Sequence, residues 1–168
     1  QDNQSFVDYV ASDRQLFFGT LAYDFSPYTT LTTGYTWQKT NTVPNLYGVP
    51  MSKDHASLGL SRSTFLGASW NNMTYEKNNL FAELEHHFDD DWTLSGSLNF
   101  TGTHGDGQFI GTFGNGVAGV GPDGTARLNN YIHRDNTGDQ YAANLNLTGK
   151  FSLLEHMHEV VLGADYQR

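Results

Sequence analysis

Cysteine is absent from the 168 residues, which excludes disulfides and thiolate metal sites. Cations are scarce: Lys and Arg total 9 against 18 Asp and Glu, a net charge of -9. That balance argues against a nucleic-acid partner, since phosphate binding wants a basic surface. No apolar run approaches the roughly 20 residues that a membrane-spanning helix needs. No stretch of useful length repeats with a helical period, and no Gly-rich phosphate loop or nucleophile elbow is present. The sequence starts at Gln1 rather than Met, and the chain is expected to be a segment of a larger protein. An enzyme therefore has little support, and no catalytic residue is assigned.

What is present is aromatic and glycine-rich alternation. Aromatic residues make up 14% of the chain and there are 18 glycines. A mean hydropathy of -0.50 would be wrong for a helical membrane protein. It is compatible with a membrane β-barrel, because polar lumen-facing positions dilute the apolar signal. Along residues 79–100, Leu80, Ala82, Leu84, His86 and Phe88 share one face, and Phe81, Glu83, Glu85 and His87 the other. After an acidic turn, Trp92, Leu94, Gly96, Leu98 and Phe100 alternate with Thr93, Ser95, Ser97 and Asn99. Period-two alternation of this kind marks strands with one apolar and one polar face.

The same pattern recurs twice. Phe17, Gly19, Leu21, Tyr23 and Phe25 precede a Ser26-Pro27-Tyr28 turn, and Leu31, Thr33, Tyr35 and Trp37 follow it. Tyr141, Ala143, Leu145, Leu147, Gly149 and Phe151 lead through a turn near residues 152–157 to His158, Val160, Leu162, Ala164 and Tyr166. Residues 1–13 are expected to be a loop. Residues 39–77 and 102–138 are expected to be long connections, the latter marked by Gly105-Asp-Gly107, Gly114-Asn-Gly116 and Pro122-Asp-Gly124. The predicted fold is all-β: an antiparallel up-and-down meander of about six strands in three hairpins. Short turns alternate with long loops, and aromatics border the apolar face. That favours a transmembrane barrel wall with its apolar face outward and its long loops external.

Several stretches carry a family resemblance: Leu21-Ala-Tyr-Asp-Phe-Ser-Pro27 with Thr30-Leu-Thr-Thr-Gly-Tyr35, Val43-Pro44 with Tyr47-Gly-Val-Pro-Met51, and Asn79-Leu-Phe-Ala-Glu-Leu-Glu-His86. Gly149-Lys-Phe-Ser152 with His158-Glu-Val-Val-Leu-Gly-Ala-Asp-Tyr166 continues it. In order and spacing these resemble the barrel of TonB-dependent siderophore receptors, most of all the ferripyoverdine and ferric-coprogen type. The resemblance implies a 22-stranded outer-membrane barrel with an N-terminal plug, in a Gram-negative bacterium. It implies ferric siderophore as ligand, with the iron carried by the siderophore and no separate cofactor. It also implies lipid and the TonB complex as partners, the latter reached through the plug. Residues 1–168 contain no plug and no TonB-contacting box, so they are expected to be a partial barrel. A non-transporting, surface-exposed binding or adhesion domain and a passive porin are the competing readings.

Siderophore receptors bind with aromatic and polar side chains at the outer mouth. The resemblance therefore nominates Tyr47, Trp70, Trp37, Tyr9 and Met51, although the parity of Trp37 with Leu31 and Tyr35 also suits an aromatic girdle. Asp89-Asp90-Asp91 and Gly105-Asp-Gly107 lack the spacing of a calcium loop and read as turn chemistry. His86 and His87 point to opposite faces of a strand and cannot hold one ion together. His156 and His158 read as polar interface residues, Glu83 and Glu85 as lumen-facing carboxylates. No metal site is assigned.

Overall fold

The computed structural model describes residues 2–45, 48–52, 54–112, 120–121, 123–126 and 128–168. They form one seven-stranded sheet whose strands lie in chain order. The strands are β1 (Asp2–Gln4), β2 (Ala11–Ser26), β3 (Thr29–Thr42), β4 (Asn72–His87), β5 (Trp92–Thr112), β6 (Leu128–Leu153) and β7 (His156–Gln167). The predicted meander of about six strands corresponds to β2–β7. The pairing of β6 with β7 is antiparallel, with Leu145 opposite Ala164 and Phe151 opposite His158.

Each short turn has a local cause. Pro27 and Tyr28 make the first, and the Ser26 hydroxyl accepts from the Tyr28 amide at 3.2 Å. In the second, the Asp89 carboxylate accepts from the Asp91 and Trp92 amides at 2.9 and 2.8 Å. Leu154 and Glu155 make the third with φ of +51° and +63°, the left-handed pair that a two-residue hairpin turn requires.

The expected connections shrink. β3 runs to Thr42 and β4 begins at Asn72, so residues 43–71 connect them rather than 39–77. β5 runs to Thr112 and β6 starts at Leu128, which leaves 113–127 rather than 102–138. Residues 1–13 hold β1 and the start of β2, paired as Asp2 to Asp13 and Gln4 to Ala11. The physical reason is that a ladder of backbone hydrogen bonds persists where side-chain alternation fades. Gly105-Asp-Gly107 is strand, not turn: a Cβ on Gly107 would lie 2.5 Å from the Asn72 carbonyl oxygen and 2.7 Å from the Met73 Cα. Glycine there permits close approach of β4. Gly114-Asn-Gly116 lies outside the described residues. Gly124, with φ +79°, is a true turn position.

Two compact units divide the chain: Gln1–Gln15, Lys39–Glu76 and His104–Asn136 form the first, and Leu16–Gln38, Lys77–Thr103 and Thr137–Arg168 the second. The second unit is a single layer. Its apolar face exposes Leu21 (65%), Leu98 (63%) and Leu162 (60%) to the surroundings. Rings collect at two levels on that face. Near the short turns Tyr23 meets Phe25 with centroids 5.0 Å apart, His86 meets Phe88 at 4.6 Å and Phe151 meets His158 at 5.5 Å. Toward the other end Phe17 meets Tyr35 at 6.5 Å and Phe100 meets Tyr141 at 5.0 Å. Phe17 to Phe25 is about 26 Å of strand at ~3.3 Å per residue. Small side chains between the levels, Ala82, Gly96, Ala143 and Ala164, floor an open apolar hollow of about 510 Å³.

The opposite face is polar and cross-linked. Thr30 donates to Asp24 at 2.7 Å, and the Asn79 amide donates to Thr101 at 2.9 Å and to Asn99 at 3.1 Å. His87 meets Glu85 and Thr93, each at 2.9 Å, whereas His86 meets Thr29 at 2.7 Å on the other side. The two histidines do diverge. Gly107→Ala should lower stability by about 1–3 kcal/mol, because only backbone can yield to the added methyl. Gly96→Ala, where the nearest atom is an ordinary 3.4 Å away, should cost much less. Heat-induced unfolding in detergent compares the two.

Candidate ligand-binding surface

The first unit contains the one large apolar side chain buried among the described residues, Phe109 at 4% exposure. Its ring stacks on Tyr131 (centroids 5.1 Å apart, 19° between planes) and on His133 (6.0 Å, 13°). Tyr131 and His133 are half-buried. Nearby on β4, the Tyr75 ring approaches the space above Gly105, 3.6 Å from where a Cβ would sit.

The stack exists because β5 and β6 fall out of step. In the second unit, even positions of β5 share a face with odd positions of β6: Phe100 meets Tyr141, and the Gly102 Cβ position lies 3.5 Å from Asp139. In the first unit, odd Phe109 meets odd Tyr131 and His133. The parity of facing residues on β5 and β6 therefore differs between the two stretches. Asp135, between those positions, has a φ of +48°, and its amide donates to Asp106 at 2.9 Å.

Asn71 anchors the long connection. It is 3% exposed. Its side-chain oxygen accepts from the amides of Ile110 at 3.0 Å and Ala68 at 3.2 Å, and its nitrogen donates to the Ile110 carbonyl at 3.1 Å. One buried amide thus closes the 43–71 connection onto β5, beside Phe109. The connection is fastened elsewhere by the Asp8 amide donating to the Ser63 carbonyl at 2.9 Å, and by Arg62 over the Phe6 ring at 5.2 Å. A parallel bridge pairs Ser52 with Val120.

Of the residues nominated from sequence, Tyr47 lies outside the described residues. Tyr9, 78% exposed, sets its ring 5.8 Å from Phe65. Met51 and Trp70 are 52% and 42% exposed, and the Met51 carbonyl accepts from the Val120 amide at 3.1 Å. Among the described residues, no hydrogen bond or ring contact joins Tyr9, Met51 and Trp70 to one another. Trp37 belongs to the second unit and shares the strand parity of Leu31 and Tyr35. Glu83 and Glu85 line an open polar hollow of about 370 Å³ with Thr30, Thr32 and Ser95, a hydroxyl-lined wall without a nucleophile–base pair. Sequence reasoning passed over Phe109, Tyr131, His133 and Tyr75. Their spacing offered one signal, aromatics at alternate positions of β6, but not the shift in register that brings them to Phe109.

A one-layer meander, apolar and aromatic-banded on one face and polar on the other, is the architecture of a stretch of transmembrane β-barrel wall. The comparisons define it further. No family model matches the chain. It is 33% identical over its whole length to the ferric-pyoverdine M114 receptor PbuA of Pseudomonas sp. strain M114, and 28% identical over 97% of its length to the ferripyoverdine receptor of Pseudomonas aeruginosa. Its fold matches the crystal structure of the Pseudomonas aeruginosa ferripyoverdine receptor bound to ferripyoverdine, with a TM-score of 0.84 and 24% identity over 99% of the chain. The chain spans about a fifth of each curated relative, 20%, and 22% of the solved receptor. Its homologues are thus siderophore receptors, and its fold is that of their barrel segment.

Asn71→Ala should strand the Ile110 and Ala68 amides and destabilise the connection by about 1–3 kcal/mol for each group left without a partner. Faster hydrogen exchange at Ile110 and faster proteolysis within 54–68 are the expected readouts, with the β6–β7 amides unchanged.

Proposed function

We propose that this chain is part of the wall of an outer-membrane receptor of a Gram-negative bacterium. That receptor binds ferric siderophore and imports it with energy passed from the TonB complex through a plug-type domain. The observation that carries this reading is the 33% identity to a ferric-pyoverdine receptor over the whole chain, on a sheet with an apolar, ring-bordered face. Hydrocarbon is the solvent that such a face fits, because its leucines are more than half exposed at positions such as Leu21 and Leu98. Among the described residues β2 beyond Asp13 and β7 form the outer edges of the sheet, and lipid tolerates no open sheet edge, which supports a closed wall.

The ligand surface is assigned to the first unit. Phe109 backs Tyr131 and His133, and a ring held by a stack presents broad contact at low entropic cost. Tyr9, Tyr47, Met51 and Trp70 are proposed as further ligand contacts. Trp37 is assigned to the aromatic girdle instead.

Ferric pyoverdine is the probe, with the intact protein in detergent and quenching of tryptophan fluorescence as the readout. Tyr131→Ala and Trp70→Ala should each weaken binding by about 1–3 kcal/mol, the range for a central contact. Unchanged affinity in both would remove the surface assignment and leave the barrel standing. Uptake of ferric pyoverdine by cells should stop when TonB is deleted. Uptake that continues identifies a passive porin, and binding without uptake identifies an adhesion-type domain.

The faces carry their own expectation. Leu84→Arg, near mid-membrane on the apolar face, should cost about 2–4 kcal/mol of folding into bilayers, whereas Ser95→Arg on the polar face should cost about 0–1 kcal/mol. Equal costs would reverse the assignment of lipid and lumen.

A further inference from the structure

We propose that His104, Asp106 and Asp135 form a binding site for a transition-metal dication, with Zn²⁺ as the ion that best fits the ligand set. His104 and Asp106 stand two apart on β5, so their side chains leave the same face of the strand. Asp135 comes from β6. One ligand atom from each of the three lies within 4.8 Å of the others. His104 Nε2 is 2.5 Å from one Asp106 carboxylate oxygen, and the Asp135 amide donates to the other at 2.9 Å. Two strands therefore deliver one imidazole nitrogen and two carboxylates to one place.

The chemistry selects the ion. Calcium takes six to eight oxygen ligands, and magnesium keeps most of its water. Three ligands including an imidazole suit a borderline ion that accepts four-coordination with water in the fourth position. Zinc bonds of ~2.0–2.2 Å place tetrahedral ligand atoms about 3.3 Å apart, so the widest-set groups must draw in by up to ~1.5 Å while His104 and Asp106, 2.5 Å apart, open slightly. The His104 and Asp106 side chains are 42% and 47% exposed, and rotation about their own bonds supplies that movement.

The location gives such an ion a mechanical role. Asp135 is left-handed, with a φ of +48°, and its amide is bonded to Asp106 across the strands. An ion held there ties β5 to β6, and with them the strand segments that bear Phe109, Tyr131 and His133. The site stands on its own residues and does not depend on the siderophore reading.

The test uses the intact protein in detergent, stripped of metal with EDTA and titrated with ZnCl₂ in a calorimeter. Wild type should bind one equivalent more than His104→Ala. Asp106→Asn, which keeps shape and an acceptor oxygen, should weaken that equivalent by about 100-fold or more, beyond the 10–100-fold that loss of a supporting contact costs. Zinc should raise the unfolding temperature of wild type and not that of either variant. His156→Ala should behave as wild type in both measurements. X-ray absorption at the zinc edge should show imidazole nitrogen with oxygen neighbours. Equal zinc binding by wild type and His104→Ala, calcium displacing zinc at equal concentration, or a spectrum without imidazole would each overturn the site.

Discussion

Everything in this sheet follows from the need to satisfy backbone groups without a core. Inside a hydrocarbon layer, an unpaired N–H or C=O costs several kcal/mol. Strands joined in chain order meet that need through their neighbours alone. Once the ladder is complete, side chains need not meet in a second layer, and in the second unit they do not. One face is free to be apolar toward its surroundings while the other is free to hydrogen-bond. The short turns obey the same economy of backbone partners: Asp89 takes two amides, and Leu154 and Glu155 turn the chain in two residues.

The first unit meets the requirement differently. Its connections are irregular, so side chains supply what a ladder would. Asn71 serves as donor and acceptor toward both backbone groups of Ile110. Glycine contributes by absence: Gly107 lets the β4 backbone approach at a distance no Cβ allows. The same unit carries the one buried large ring, Phe109, among the described residues. Packing, polar anchoring and the proposed ligand surface therefore coincide. A binding surface on irregular connections needs such rigid support to hold aromatic rings in place.

Much of the sheet was legible in the sequence because period-two alternation is a direct image of a two-solvent environment. Leu80, Ala82 and Leu84 against Phe81, Glu83 and Glu85 identify faces without reference to any other strand. The strand ends were less legible. In residues 104–112 of β5 glycines and polar residues interrupt the alternation, and the stretch looks like turn-rich coil. Gly105-Asp-Gly107 misled for that reason, since glycine serves a tight turn and a close strand approach equally.

By itself, then, the sequence determined the number of long strands, their antiparallel order and the composition of each face, because these depend on local alternation and turn chemistry. Tertiary structure alone decided which residues meet across strands. Register is a relation between two strands, and one extra residue moves every later side chain to the other face. Only the pairing of β5 with β6 sets Tyr131 and His133 against Phe109 and brings the left-handed Asp135 to Asp106 and His104. No pattern within β6 contains that information, because it resides in the count of residues on β6 relative to β5.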